Sequence, residues 1–259
     1  MIPPIQNTSI PPCKKCHDRA PLELAFSMAF QPIVDVRTNT IFAYEALVRG
    51  LDGSGALQIL SQVTEDNRYQ FDQACRVQAV SLAARLGIKS HVSINFLPNA
   101  VYEPAACIRK TLEAANEHQF PTHQLIFEIT ENERVVDKDH LKRIMQEYRR
   151  RGFKTAIDDF GAGYSGLNLL AEFQPDIIKL DMELVRDIGS NPVRQAIVQG
   201  ILGVCKALSI EVIAEGVETE SEFLTLQAMG VYYFQGYFFA KPAFESLPEV
   251  NWPRIEALS

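Results

Sequence analysis

No run in this 259-residue chain approaches the roughly 18 consecutive apolar residues that a membrane helix needs. The opening MIPPIQNTSIPP also lacks the basic start and apolar centre of a secretory signal. Both absences lead to the expectation of a cytoplasmic protein that does not engage a membrane. Cysteine is scarce. The five present are an odd number, mostly scattered, which argues against a disulfide framework and suits reduced thiols. Cys75, Cys107 and Cys205 fall in helix-like surroundings and are expected to be small core residues. Positive charge is in deficit as well. A net charge of −7 argues against a general nucleic-acid-binding surface, which needs a basic patch. It leaves room for a small phosphate ligand where metal ions reverse the sign of the local field.

The segment CKKCH, Cys13 to His17, has the Cys-x-x-Cys-His spacing of covalent haem attachment, but that chemistry belongs outside the cytoplasm. Zinc would find only Cys13, Cys16 and His17 there, one ligand short of the usual four. Residues 1–20 are therefore expected to form a flexible, Pro-rich leader, with a single domain over 21–259. No linker-like stretch, charge block or repeat divides residues 20–245.

Within that span, eight apolar runs read as strands: SMAFQPIVDV, IFAYEALVRG, HVSINF, QLIFEIT, KTAIDDF, DIIKLD, EVIAEGV and YYFQGYFFA. Between most of them lie segments of helical spacing, such as DQACRVQAVSLAARLG, KDHLKRIMQEYRRRG, NPVRQAIVQGILGVCKALS and ETESEFLTLQAMG. This alternation predicts a parallel sheet closed into one α/β barrel. The first two runs are joined only by RTNT, so a hairpin is expected there, with one strand antiparallel to the rest.

Polar residues interrupt these runs near their C-terminal ends: Glu45, Asn95, Glu128, Asp158, Asp159, Lys179, Glu215 and Gln235. In a barrel those ends converge on one face. Five carboxylates gathered there repel one another unless cations intervene, and hard oxygen ligands in this number suit magnesium or manganese. Each residue also has a plainer reading. Glu45 could be an exposed strand residue, and Asn95 could simply hydrogen-bond backbone. Glu131 and Glu133 could open a helix, since Thr130 and Glu133 have capping-box spacing, and Glu218 could begin the helix ETESEF. Lys179, inside DIIKLD, is harder to dismiss, because a lysine so placed is paired with an acid or used in chemistry.

The doublet Asp158-Asp159 in FKTAIDDFGAGYSG admits three readings. Neighbouring strand residues face opposite ways, so the strand could end here, with Asp159 capping the next turn and both carboxylates in water. A cation could hold both where Gly161 and Gly163 let the backbone swing away. The Asp-Phe-Gly echo of protein kinases is the third, but no glycine-rich phosphate loop or His-Arg-Asp loop accompanies it.

Taken together, YEALVRG, SINF, FEITE, AIDDFGAGYSG, IIKLD, IAEGVET and FQGYFFAKP resemble, in order and spacing, the motifs of the EAL-domain phosphodiesterases, from about Leu22 to about Leu247. Glu45, Ala46 and Leu47 are the Glu-Ala-Leu. The chain is also similar to the EAL portion of BLUF blue-light-sensing proteins, without their flavin-binding domain. The resemblance implies a modified TIM (β/α)8 barrel with one antiparallel strand, hydrolysis of cyclic di-GMP to linear 5′-pGpG, and two divalent cations, Mg2+ or Mn2+, with Ca2+ inhibitory. It implies one cation on Glu45, Asn95, Glu128 and Asp158, and a second on Asp159 and Glu215, with Asp158 bridging. Lys179 would contact the attacking water and the phosphate. Glu218 and Gln235 would order water, Arg49 would grip a phosphate, and Gln31, Leu47 and Tyr237 would line the substrate. Glu131 would steady the loop after the Asp pair and couple it to a homodimer, for which the apolar LLAEFQP offers a surface. Gly166 stands where many members have serine. A catalytically silent receptor or protein-binding EAL module, and a different barrel metallohydrolase, are the competing readings.

Overall fold

The computed structural model describes residues 22, 24–130, 138–163 and 166–253. Strand β1 (Phe26–Asp35) turns back into β2 (Thr40–Gly50), and the two pair antiparallel from Phe26↔Gly50 to Asp35↔Thr40. Asn39 takes a left-handed conformation in this turn (φ 51°), which a short polar side chain tolerates. The expected hairpin is present. Helices α1 (Ala56–Leu60) and α2 (Arg68–Arg85) then lead to β3 (His91–Asn95), and α3 (Pro104–Cys107) and α4 (Arg109–Glu117) lead to β4 (Leu125–Thr130). Next come α5 (Lys138–Arg150), β5 (Lys154–Phe160), α6 (Gly166–Glu172) and β6 (Ile177–Leu180). The last units are α7 (Met182–Val185), α8 (Pro192–Leu208), β7 (Glu211–Ala214), α9 (Glu220–Ala228) and β8 (Tyr233–Phe234).

Strands β2 to β8 are parallel and adjacent in sequence order, and β1 closes the ring between β8 and β2, antiparallel to both. A short β9 (Ala243–Phe244) pairs antiparallel with β1 at Ala29 and Phe30, away from the stretch that β8 takes. The architecture is the modified TIM barrel with one antiparallel strand that the runs and their connections implied. No helix among the described residues is long and apolar enough to cross a membrane.

Local chemistry fixes the helix ends that aim the strands. The Asn191 side chain accepts from the N–H groups of Val193 and Arg194, and Pro192 opens α8. Thr219 and Glu222 form a capping box on α9. On α2, Asp72 and Arg76 make a buried ion pair at 2.6 Å. Asp72 also accepts the Leu97 N–H at 2.9 Å, which ties the helix to the chain leaving β3.

Two apolar layers result from the strand alternation. Val92, Ile94, Phe127, Ile129, Ile157 and Ile178 face outward into the helices, within the larger core. Ile33, Ala43, Ile126, Ala156, Ile177, Ile213 and Tyr233 fill the barrel itself. Cys75, Cys107 and Cys205 are buried and form no disulfide, as expected, and burial pushes the Cys205 thiol up to about 11.

Two expectations are corrected. YYFQGYFFA is strand only at Tyr233–Phe234. Beyond it, Gln235 and Phe238 exchange backbone hydrogen bonds with Val217, and a Cβ on Gly236 would lie 2.0 Å from the Val217 carbonyl oxygen. Only glycine permits that approach, so the chain folds across the loop after β7 instead of extending. LLAEFQP offers little free apolar surface: Leu170 and Phe173 are buried and Leu169 packs against the same core. The leader over 1–20, with Cys13, Cys16 and His17, lies outside the described residues.

Candidate active site

Each barrel-filling residue is followed, two positions toward the same mouth, by a polar one. Ala43 precedes Glu45, Ile126 precedes Glu128, Ala156 precedes Asp158, Ile177 precedes Lys179, Ile213 precedes Glu215 and Tyr233 precedes Gln235. On the reversed β1, Gln31 stands beyond Ile33 in the same direction, directly across from Glu45. Ser93 and Asn95 complete the pattern on β3. A period of two therefore places a ring of functional groups directly above an apolar plug.

At the centre of the ring is Lys179, fully buried. Its Nζ lies 2.6 Å from Glu215 Oε1, 2.9 Å from both Glu128 Oε2 and Asp158 Oδ1, and 3.3 Å from Glu45 Oε2. Glu45 is further held by Asn95 Nδ2 (3.0 Å) and Gln235 Nε2 (2.7 Å), and Gln235 Nε2 also donates to Gln31 Oε1 (3.1 Å). Ser93 Oγ donates to Glu128 Oε1. One ammonium among four carboxylates leaves a strong negative surplus. Burial, with Glu45 and Asp158 nearby, pushes the Glu128 carboxyl up to about 8 even though Lys179 opposes the shift. Glu215 is driven up in the same way by burial and Asp158. Burial and the adjacent Asp158 and Asp181 push Asp159 up to about 6. For Lys179 burial works to lower the pKa, but the surrounding carboxylates prevail and it is raised.

The doublet escapes the alternation rule through a bulge. The β5–β6 register shifts between Ile157 and Phe160, and Asp159 itself adopts a left-handed conformation (φ 54°), with Gly161 following at φ 101°. The strand continues to Phe160, so it does not end at Asp158. The reversal falls on Asp159 as well as on a glycine, and Asp158 and Asp159 share one cluster.

Among the described residues, two sets of three carboxylates bring oxygens within 4.8 Å of one another: Glu45, Glu128 and Asp158, and Asp158, Asp159 and Glu215. Asp158 belongs to both, and its buried Oδ1 makes no aligned hydrogen bond despite its closeness to Lys179. An all-oxygen donor set with a shared, under-satisfied carboxylate fits hard divalent cations.

Other expected residues lie further out. Leu47 and Arg49 follow Glu45 along the same face of β2 and are half-buried, with Arg49 Nη1 donating to the Val48 carbonyl (2.7 Å). Tyr237 is exposed, with Lys241 Nζ over its ring at 5.3 Å from the centroid. Glu218 is outside the hydrogen-bonded cluster and faces Arg186 at 3.4 Å. Glu131 lies outside the described residues. Three contributors were not anticipated. Ser93 orients Glu128, and Asp181 adds charge beside Asp159. Glu222 accepts the backbone N–H groups of Asp187, Glu218 and Thr219, each at 3.0 Å, which braces the loop after β6 against the one after β7. Ser93 was detectable in principle, because it shares the parity of Asn95.

The EAL domain family matches residues 18–242. Among curated relatives, the blue light- and temperature-regulated antirepressor BluF of Escherichia coli is 34% identical over 226 residues, 87% of this chain and 56% of BluF. The probable cyclic di-GMP phosphodiesterase PdeD of the same organism is 30% identical over 227 residues, 84% of this chain and 41% of PdeD. The chain thus spans little more than half the length of these relatives, or less. Among solved structures, a standalone versatile EAL protein from Vibrio cholerae O395 in its c-di-GMP-bound form is 59% identical, with a TM-score of 0.86 over 89% of this chain and 97% of that one. The manganese and cyclic di-GMP complex of Klebsiella pneumoniae BlrP1 at pH 9.0 is 37% identical, with a TM-score of 0.84 over 90% of this chain and 60% of that one. With its motifs gathered at one barrel mouth and the family match running through nearly the whole described chain, this protein belongs to the EAL domain family.

Proposed function

We propose that this chain is a cytoplasmic, metal-dependent phosphodiesterase that opens cyclic di-GMP to linear 5′-pGpG and so lowers the level of that second messenger. The observation that carries the reading is the pair of carboxylate sets sharing Asp158 around Lys179. Relatives named as cyclic di-GMP phosphodiesterases and a 59% identical structure solved with c-di-GMP support the choice of substrate.

Glu45, Asn95, Glu128 and Asp158 would hold one Mg2+ or Mn2+, and Asp159 and Glu215 a second, with Asp158 between them. Such cations, when bound, acidify a water and offset the charge of a phosphodiester. The protein's own groups do the rest. Asn95 and Gln235 fix both oxygens of Glu45, and Ser93 fixes one of Glu128, so the donors are set before substrate arrives. Lys179 presents its ammonium toward a phosphate oxygen and the attacking water. Arg49 at the rim takes a substrate phosphate, while Gln31, Leu47 and Tyr237 flank the nucleotide. Glu218, paired with Arg186, orders water at the edge of the site.

The same reading includes a homodimer. Val193, Ile197, Val204 and Leu208 are exposed on one face of α8, an apolar stripe without a partner in the described chain. The competing reading, a catalytically silent EAL module, draws on BluF, which is named as an antirepressor. Purified protein incubated with cyclic di-GMP and Mg2+ or Mn2+ decides between them. Release of pGpG, abolished in Glu45→Ala with substrate binding retained, is the expected result. Substrate binding with no pGpG under any metal condition would sink the enzyme reading.

A further inference from the structure

We infer that Lys179 competes with divalent cations for the site's carboxylates, so that occupancy of the centre responds to the concentration of free divalent cation. The inference rests on the metal-dependent reading above and concerns its regulation. Both oxygens of Glu45 and Glu128 are already committed. Glu45 Oε1 accepts from Asn95, and its Oε2 accepts from Gln235 and lies 3.3 Å from Lys179. Glu128 Oε1 accepts from Ser93, and its Oε2 accepts from Lys179 at 2.9 Å. Of these partners only Lys179 carries a charge, and it has the sign of an entering cation. The remaining contacts of Nζ, to Asp158 at 2.9 Å and Glu215 at 2.6 Å, reach the second carboxylate set.

An ammonium has three N–H donors, and here it stands within 3.3 Å of four carboxylates, so it is over-subscribed. A cation seated on Glu45, Glu128 and Asp158 must take oxygens from Nζ and also sits close to a like charge in a buried setting, where screening is weak. Asn95, Gln235 and Ser93 impose no such penalty, being neutral. Lys179 thus both neutralises the carboxylates and weakens their hold on a divalent ion. Cation entry would then free the ammonium to turn toward a phosphate.

Isothermal titration with Mn2+ and with Mg2+, on the wild type and on Lys179→Met, tests this without reference to turnover. The expected result is binding at least tenfold tighter in the variant. Equal or weaker binding by a folded variant overturns the inference. Because Lys179→Met leaves the carboxylates uncompensated and could fail to fold, the wild type labelled with 15N-lysine supplies a second readout. The Nζ signal of Lys179 should move in step with Mg2+ occupancy. A signal unmoved at saturating Mg2+ overturns competition while leaving the metal centre intact. Absence of binding to either protein overturns the metal-centre reading and this inference with it.

Discussion

The buried pair Asp72–Arg76 gives the sharpest test of how the helical shell supports the site. The two groups are 2.6 Å apart and at most 1% exposed. Asp72 also holds the Leu97 N–H, two residues past Asn95, and Arg76 reaches Tyr148 Oη on α5 at 3.4 Å. Asp72→Asn leaves a guanidinium that cannot shed its proton, and removing one member of a buried pair costs about 3–5 kcal/mol. For a domain of this size that lowers Tm by on the order of 10 °C. Arg76→Met acts differently. Burial already holds the Asp72 carboxyl above its ordinary range against the pull of Arg76, and without Arg76 it keeps a proton in the fold. Below the unfolded carboxylate value, near 4, both states are protonated and the fold bears no penalty. As pH rises past that value the unfolded chain ionises first, so the stability of Arg76→Met falls, and it recovers as pH is lowered from 8 toward 5. The double variant Asp72→Asn/Arg76→Met buries no charge and should regain most of the loss. Urea unfolding followed by circular dichroism at pH 5 to 8, over the full double-mutant cycle, measures this. Additive losses, or a pH-independent Arg76→Met, would refute the reasoning.

Other outcomes follow from the same geometry. Glu128, raised to about 8, and Asp159, raised to about 6, hold protons that a cation must expel. Mg2+ affinity should therefore rise with pH from 6 to 8, with proton release seen by calorimetry in buffers of different ionisation enthalpy; a flat profile would contradict it. Gly236→Ala places a Cβ 2.0 Å from the Val217 carbonyl oxygen, so the loop must move, at a cost of about 1–3 kcal/mol or more, and Gln235 is drawn off Glu45. Thermal melts should show the loss, and a variant as stable and active as wild type would refute it. Ile197→Lys puts charge into the α8 stripe and should yield monomer by analytical ultracentrifugation where the wild type sediments as a dimer; a wild-type monomer at micromolar concentration would sink the dimer.

Most of the barrel was legible because its strands announce themselves twice, as apolar runs and as runs interrupted near their ends. A lysine inside DIIKLD or a glutamate inside LIFEIT carries a burial cost that calls for an oppositely charged partner, and the two meet on the ring. The remainder was hidden because it depends on partners far away in sequence. Gly236 looks like strand until Val217 crosses it. Asp72 and Arg76 read as an ordinary pair one helical turn apart, and nothing local says that Tyr148 and Leu97 will bury them. Leu170 and Phe173 looked like spare apolar surface, although the same core claims both. Glu222 is a helix-cap residue by spacing, and its hold on Asp187 appears only once two exit loops meet.

The aspartate doublet shows how far alternation can be trusted. A regular strand would send Asp158 and Asp159 to opposite faces, and the mild escape was a strand that ends with both carboxylates in water. That escape fails on two observations: β5 runs on to Phe160, and Asp158 is only 8% exposed. The bulge instead sets Asp159 in a left-handed conformation, a strained choice for a residue with a Cβ, though aspartate tolerates it better than most. Burial and the neighbouring Asp158 raise the Asp159 carboxyl further. Strain, like-charge repulsion and burial thus coincide on one dipeptide, which a cap or a surface turn would have no reason to combine. What the arrangement achieves is specific: adjacent side chains that alternation would separate enter one cluster, and Asp158 belongs to both carboxylate sets while Asp159 reaches only the second.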